Sequence, residues 1–316
     1  MRDDAQKTPR RQGAARVVRQ SARRRGAAKA AEPSTPPNEA AANPVAKAPR
    51  RRAPAMGAAL VVVDAGNTET VIGIFRGAAL HGSWRLTSDA DRTADEYGLL
   101  LGDLLRDAGV SPGEIGGIAI GSVVPAITTA FRDVGERRMK TRTVVVSGEV
   151  DVGIRVRVDN PLEVGADRIA NAVAAYRLYG APAVVVDLGT ATTFDVVSGR
   201  GEYLGGAIAP GLVTSSRDLF RRAARLSAVD LVFPQRVIGR NTAESMRSGI
   251  LYGTVGQIDG IVERIRAEWR RDFAVLATGG LAGLVAGRSQ SIQRVVPDLT
   301  LQGLRLIFNR VSGLGD

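Results

Sequence analysis

Cysteine is absent from all 316 residues. That excludes disulfides, a thiolate metal site and a cysteine nucleophile, and it fits a reducing compartment. Histidine occurs once, as His81, which excludes histidine triads and multi-histidine metal centres. Placed after a strand, His81 is expected to be a surface residue. No apolar run approaches the roughly 20 residues that a membrane helix needs. No membrane partner is therefore expected, and the location expected is cytoplasmic. There is no G-x-x-x-x-G-K-[ST] and no G-x-G-x-x-G after a strand, so the P-loop and dinucleotide-binding folds lack their signatures.

Net charge is nearly absent from most of the chain, although the whole carries a formal +11. Residues 1–56 hold 14 of the 43 Lys and Arg but 4 of the 32 Asp and Glu, which leaves the body with 29 against 28. A basic nucleic-acid surface is therefore not a property of the body. Residues 1–56 are rich in Arg, Ala and Pro, lack aromatics and show no apolar period. Such a segment cannot bury enough surface to offset the entropy of ordering, and a disordered basic extension is expected. Three roles compete for it: a transit peptide, a tail touching nucleic acid, or a non-functional extension upstream of a start at Met56.

The body, with 44% hydrophobic content over the chain, is long enough for two ordinary domains. It opens on Val61-Val62-Val63-Asp64-Ala65-Gly66-Asn67-Thr68-Glu69-Thr70, a buried β-branched strand that delivers an Asp into a tight turn. Val71 to Phe75 resumes a strand, so the stretch predicts a hairpin. The same order recurs at Val184-Val185-Val186-Asp187-Leu188-Gly189-Thr190-Ala191-Thr192-Thr193. Strands are expected at 59–64, 70–76 and 79–87, then a helix from the capping pair Thr93 and Glu96, a strand at 118–120, a helix from Pro125 to about Lys140, and a strand at 143–146. An alanine-faced helix follows Gly165-Ala166-Asp167-Arg168. Strands at 183–188, 192–197 and 203–209, a helix from 212, a long helix over 242–270, a strand at 273–277 and a helix over 299–310 complete the second half. This predicts an α/β fold, β-β-β-α-β-α twice, with domains 57–175 and 176–316 around a ligand cleft.

The chemistry follows from the turns. Gly66 lets backbone approach a ligand, turn N–H groups face an anion, and Thr68 and Thr70 add hydroxyls. Asp64 at the strand end suits Mg²⁺ or its waters beside phosphates. Ala277-Thr278-Gly279-Gly280-Leu281-Ala282 is a third glycine-rich turn, between strand and helix. Two phosphate-facing hairpins plus this turn form the nucleotide pattern of the actin-like ATPase fold, shared by actin, sugar kinases and heat-shock chaperone ATPases. Asp167 is the candidate base for an acceptor hydroxyl, and Arg168 beside it can hold an anionic substrate or lower the pKa of that base. The plainer reading of that pair is an Asp serving the helix dipole. Asp95 and Glu96 are read as structural acids at a helix start.

With these motifs in order, together with Ser122-Val123-Val124-Pro125, Asn160-Pro161, Gly205-Gly206-Ala207-Ile208-Ala209-Pro210-Gly211 and Ile238-Gly239-Arg240-Asn241-Thr242, the chain resembles the type III pantothenate kinases over about 58–310. The resemblance implies the duplicated actin-like (ribonuclease H-like) fold and a homodimer. It implies ATP-dependent phosphorylation of the primary hydroxyl of pantothenate, the first step of coenzyme A synthesis. Asp64, Ala65, Gly66, Asn67, Thr68, Glu69, Thr70 and Val71 would form the first phosphate loop, and Thr190 would touch ATP with its Mg²⁺. Asp187 would hold the K⁺ or NH₄⁺ this family requires. Gly165, Ala166, Asp167 and Arg168 would contact pantothenate, with Asp167 as general base, and Thr242 would contact it from either subunit. Val158 departs from the family, which often has Tyr there, in the pantothenate site. Two alternatives stand beside this: a regulatory protein on the same fold that binds nucleic acid through its tail, and phosphoryl transfer to another small hydroxy acid.

Overall fold

The computed structural model describes residues 58–222 and 229–315; the expected extension 1–56 lies outside them. The first sheet is built from β1 (Ala59–Ala65), β2 (Glu69–Arg76), β3 (Ala79–Thr87), β4 (Ile115–Ser122) and β5 (Arg142–Val145), in the order β3-β2-β1-β4-β5. β1 is central, antiparallel to β2 and parallel to β4. Its apolar run is continuous because both faces are covered: Val61 and Val63 point to one core, Leu60 and Val62 to the other. β3, at the sheet edge, alternates exposed and half-buried residues instead. His81 lies within this strand rather than after it, exposed, with its Nε2 3.1 Å from the Ala108 carbonyl oxygen.

The second sheet repeats the first. It comprises β6 (Arg155–Val156), β7 (Ala183–Leu188), β8 (Ala191–Val197), β9 (Glu202–Pro210), β10 (Ala274–Thr278) and β11 (Arg294–Val295), ordered β11-β10-β7-β8-β9-β6. From β9 to β11 the order and the strand directions match β3 to β5, with β7 antiparallel to β8 and parallel to β10. β7 distributes its residues as β1 does, Val184 and Val186 to one side, Ala183 and Val185 to the other. The duplicated actin-like α/β fold expected from the echoed hairpins is present, with β6 as an added edge strand.

Among the described residues seven α-helices cover the sheets: α1 (Ala94–Asp107), α2 (Pro125–Asp133), α3 (Ala166–Ala174), α4 (Leu212–Arg222), α5 (Thr242–Trp269), α6 (Ala282–Ala286) and α7 (Leu299–Ser312). α1 starts at the expected capping box: Glu96 N–H donates to Thr93 Oγ1 and Thr93 N–H to Glu96 Oε2. Tyr97, Leu101 and Leu105 of α1 and Ile127 and Phe131 of α2 fill the outer face of the first sheet. Leu251, Val255, Ile258 and Val262 of α5 do the same for the second.

α3 and α7 lie between the sheets. Ile169 and Ala170 of α3, with Leu304 and Phe308 of α7, pack under the first sheet. Ala172 and Ala174 of α3 and Leu299 of α7 meet the second. The alanine face lets the helices approach closely. A Cβ at Gly303 of α7 would overlap the Ala170 carbonyl of α3.

Several expectations shift. The order β-β-β-α-β-α is extended in each half by a strand and a helix, β5 and α3 in the first and β11 and α7 in the second. β5, α3 and α7 answer to the strand at 143–146, the alanine-faced helix and the helix over 299–310, and β11 was not expected. The helix expected to reach Lys140 stops at Asp133 and continues as a wider π turn over Val134–Arg138. β4 runs Ile115–Ser122, longer than the 118–120 expected, because it pairs with β1 from Ile115 opposite Ala59 to Ser122 opposite Ala65; its Gly117 and Gly121 make room for Phe308 and Leu304 of α7. β6 and β11 have two residues each, too few to show a period.

Candidate active site

Each sheet contributes one tight hairpin. In the first, Gly66 N–H donates to the Glu69 carbonyl at 2.9 Å; in the second, Gly189 N–H donates to the Ala191 carbonyl at 3.0 Å. The hairpins meet: Thr190 Oγ1 donates to Thr68 Oγ1 at 3.1 Å. The third turn follows β10 at Gly279, whose φ is +90°. A Cβ there would lie 2.6 Å from Asp187 Oδ1 and 2.7 Å from the Leu188 carbonyl. Only glycine fits that close approach of turn to loop.

Three carboxylates converge behind these turns. Asp64 is the last residue but one of β1 and Asp187 the last but one of β7, both half-buried. Asp167 stands in the first turn of α3, its Oδ1 accepting the Arg168 N–H at 2.8 Å. A Cβ at Gly165 would collide with that carboxylate, which accounts for glycine at the N-cap. One helical turn on, buried Asn171 donates from Nδ2 to Asp187 Oδ2 at 2.9 Å and accepts from Thr300 Oγ1 at 2.8 Å. Asp167 and Asn171 share a face of α3 at i, i+4 spacing. One helix thus presents the candidate base and grips the second-half aspartate, while α7 braces the grip.

Burial pushes the Asp64 carboxyl well above the usual carboxylate range, and the charges of Asp167 and Asp187 push it further. Burial also raises Asp187, to about 6, against the Asn171 hydrogen bond, with Asp167 adding to the rise. The Arg85 charge opposes both shifts. Arg85 projects from the exposed face of edge strand β3, donates to Glu69 Oε2 at 2.8 Å, and lies 3.5 Å from where a Gly280 Cβ would be. It therefore reaches from the first hairpin to the third turn. The body has only one Lys, Lys140, and the cation whose charge acts on both Asp64 and Asp187 is Arg85.

The other expected residues are placed as follows. The turn Ala65, Gly66, Asn67, Thr68 and Glu69 lies at the hairpin tip. Thr70 does not face outward: its hydroxyl is buried against Ser88 Oγ at 2.8 Å, and Ser88 braces the Gly66 carbonyl. Val71 packs on the core under α3 and α7. Ala166 is buried in that core, and Val158 packs in a cluster with Tyr203 and Ala172. Thr242 begins α5, capped by Asn241, and lines a groove of about 510 Å³ with Leu219, Ser245, Met246 and Gly249. None of the three aspartates lines this groove. α4 links the two, since its Thr214 donates to the Thr190 carbonyl at 2.7 Å while Leu212 and Ser215 line the groove.

Arg85, Asp195 and Tyr203 join the site without having been expected. Asp195 had a readable signal, a lone acid within the apolar strand Ala191-Thr192-Thr193-Phe194-Asp195-Val196-Val197, where a buried charge demands a partner. Arg85 had none, since an exposed Arg on an edge strand is ordinary.

Comparison with known proteins agrees with this geometry. The family model described as type III pantothenate kinase matches residues 60–264. The chain is 49% identical over 251 residues to a type III pantothenate kinase of Moorella thermoacetica, covering 79% of this chain and 99% of the relative. It is 48% identical over 251 residues to the one of Geobacter sulfurreducens, covering 79% and 98%. Among solved structures, a Campylobacter jejuni protein assigned to a Baf family of transcriptional activators superposes with a TM-score of 0.53 at 17% identity. It covers 80% of this chain and 100% of that one, a likeness of fold. Paired hairpins, an aspartate at the head of the inter-sheet helix and matches across nearly the full length of these relatives all agree: the chain belongs to the type III pantothenate kinase family.

Proposed function

We propose that the cleft between the hairpins transfers the γ-phosphoryl group of ATP to the primary hydroxyl of pantothenate, with Asp167 as general base. The observation that carries this is the convergence of Asp64, Asp167 and Asp187 where the two sheets' hairpins touch. The hydroxyl oxygen bonds to the γ-phosphorus as its proton passes to the Asp167 carboxylate. The bond from that phosphorus to the β–γ bridging oxygen breaks, and ADP leaves. The turn from Asp64 to Val71 and the hydroxyls of Thr68 and Thr190 receive the phosphates, with N–H groups and hydroxyls as donors. Arg85 supplies the fixed positive charge beside them.

The residues present fit two cations. Asp64 and Asp187 are both driven toward protonation by burial and by other carboxylates, and a bound cation relieves that repulsion as a proton does. Among the described residues no group of three His, Cys, Asp or Glu forms a protein-only metal site. That suits ions that take most of their ligands from phosphate oxygens and water. Asp64 would orient Mg²⁺ through water and Asp187 would hold K⁺ or NH₄⁺; bound there, they would neutralise phosphate charge. Gly165, Ala166 and Arg168 hold pantothenate, Val158 contributes an apolar wall, and Thr242 meets it from its own or a partner subunit.

A homodimer accords with Val232, Val237 and Ile238, which are 62%, 62% and 84% exposed on the segment leading into α5 beside the Thr242 groove. Residues 57–175 and 176–316 are taken as the two kinase halves. A cytoplasmic location suits a chain in which, among the described residues, no helix is long and apolar enough to cross a membrane. Nothing observed favours the regulatory alternative.

The test is pantothenate-dependent release of ADP from ATP, Mg²⁺ and K⁺. Asp167→Asn is expected to lower kcat by about 10²–10⁴ with an unchanged melting temperature. Wild-type protein without such turnover, or a variant as fast as wild type, overturns the assignment. Replacing K⁺ by Na⁺ is expected to remove most activity, and equal rates in both salts overturn the role of Asp187.

A further inference from the structure

Arg168 follows the base in sequence, yet its side chain serves a different place. Its Nε donates to Asp195 Oδ1 on β8 at 2.7 Å. Asp195 is 0% exposed. Besides Arg168 it accepts from Tyr203 Oη at 2.9 Å, on Oδ1, and from Thr193 Oγ1 at 3.1 Å, on Oδ2. Tyr203, on β9, is 1% exposed, and the Arg168 guanidinium lies over its ring at 5.8 Å from the centroid. Burial keeps the Tyr203 hydroxyl protonated, so it acts as a donor to Asp195.

A buried aspartate inside a strand is costly and must be compensated. A structural ion pair would settle that cost with the bidentate fork that arginine offers a carboxylate. Here the fork is not used. Asp195 engages Nε alone, and Arg168 Nη2 is buried with no hydrogen-bond partner. Leaving a buried guanidinium donor unpaired costs on the order of 1–3 kcal/mol. Arg247 Nε and Arg305 Nε and Nη1 are buried without a hydrogen-bond partner as well; what sets Arg168 apart is its place next to the candidate base, where an anionic ligand can complete it. Asp167 and Arg168 also differ in their main partners: Asp167 couples to Asp64 and Asp187 at the hairpins and least to Tyr203, while the Arg168 guanidinium lies on β8 and β9. One helix start therefore addresses two poles, which suits an acceptor with a hydroxyl at one end and an acid at the other.

We propose that Asp195 and Tyr203 are positioning residues for acceptor recognition. They fix Arg168 through Nε and its flat face, which leaves the rest of the guanidinium for the carboxylate of the substrate. This rests on the reading of Arg168 as a pantothenate contact. Thr193 completes the aspartate's hydrogen bonds, and Val158, packed with Tyr203, closes the apolar side of the pocket. A tyrosine thus serves this pocket from β9, through Asp195, where position 158 carries none.

The experiment compares pantothenate with its neutral analogue carrying CH₂OH in place of the carboxylate, at saturating ATP, for wild type, Asp195→Asn, Tyr203→Phe and Thr193→Val. Wild type is expected to favour the acid in kcat/KM. Asp195→Asn is expected to lose about tenfold or more with the acid, chiefly in KM, and Tyr203→Phe about threefold, the scale of charged and neutral hydrogen bonds. Kinetics with the neutral analogue, and KM for ATP, are expected to stay within about twofold. Equal losses with both acceptors, or no loss with either, overturn the proposal. Tyr203→Phe and Thr193→Val remove single hydroxyls and leave the ion pair intact, so they decide the matter if Asp195→Asn does not fold. A wild type that turns over neither acceptor overturns the kinase assignment, and this inference with it. Turnover in wild type with non-selective losses overturns the inference alone.

Discussion

The Thr190 hydroxyl donates to the Thr68 hydroxyl across 3.1 Å, although the two residues stand 122 positions apart. This bond joins the two hairpin tips that the sequence writes in the same order. Both hydroxyls point into the space assigned to the phosphates, and each can turn from the other to a phosphate oxygen. Thr68→Val and Thr190→Val keep the side-chain shape and remove one donor each. Each is expected to lower kcat/KM for ATP by about tenfold, the scale of a hydrogen bond to a charged group. Because the residues are in contact, the double variant is expected to lose less than the product of the single losses. Steady-state kinetics in ATP checks this, and strictly multiplicative losses would refute the shared role.

Asp187 makes stability depend on pH in a defined direction. Its carboxyl is raised from 3.8 in the free side chain to about 6 by burial, with the Asp167 charge adding to it. Between those values the folded chain holds more protons than the unfolded one. The contribution is therefore fully present below about pH 4 and is lost as pH rises through 6. Asp187→Asn keeps an oxygen for the Asn171 amide and removes the charge. Without added K⁺ or nucleotide, it is expected to melt above wild type at pH 8, by at most about 3 kcal/mol from a shift of this size. The gap should close as pH falls toward 4, and it should narrow when K⁺ and MgATP are supplied to wild type. Parallel melting curves at every pH would remove the repulsion assigned to these carboxylates.

Gly303 sets how closely α7 approaches α3. A Cβ there would overlap the Ala170 carbonyl, on the helix that carries Asp167, Arg168 and Asn171. Gly303→Ala raises helix propensity by about 1 kcal/mol, yet overpacking typically costs about 1–3 kcal/mol. Net destabilisation is expected, seen as a lower melting temperature. Because the helix moves as a unit, kcat and KM for pantothenate should worsen together. A variant as stable and as active as wild type would show that α3 does not depend on this contact.

Much of this was decided along the chain. Val61 to Val63 and Val184 to Val186 are β-branched runs ending in Asp, Gly and hydroxyl residues. Local chemistry makes each a buried strand and a tight turn of backbone N–H and hydroxyl groups, and their repetition implies the duplicated fold. Thr93 with Glu96 marks a helix start by hydrogen bonds that span three residues. The family could be named from such motifs because backbone-approach glycines and strand-end carboxylates are read locally.

Tertiary structure decided which groups meet. Asn171 finds Asp187, and Thr300 finds Asn171, only because α3 and α7 are pressed together between the sheets at Ala170 and Gly303. Thr70 looks like a ligand donor in sequence but turns inward to Ser88, since alternation on β2 puts it on the side of Ile72 and Ile74, in the core under α1 and α2. Arg85 sits on an edge strand with no local mark of function, and gains one by reaching Glu69 and the turn at Gly280. Asp195 carried a mark, a charge in an apolar strand, but its partners Arg168 and Tyr203 come from another helix and another strand. Period, capping and turn chemistry act over a few residues and are fixed by the sequence. Charge compensation in a buried site acts through space, and only the packed chain assigns its partners.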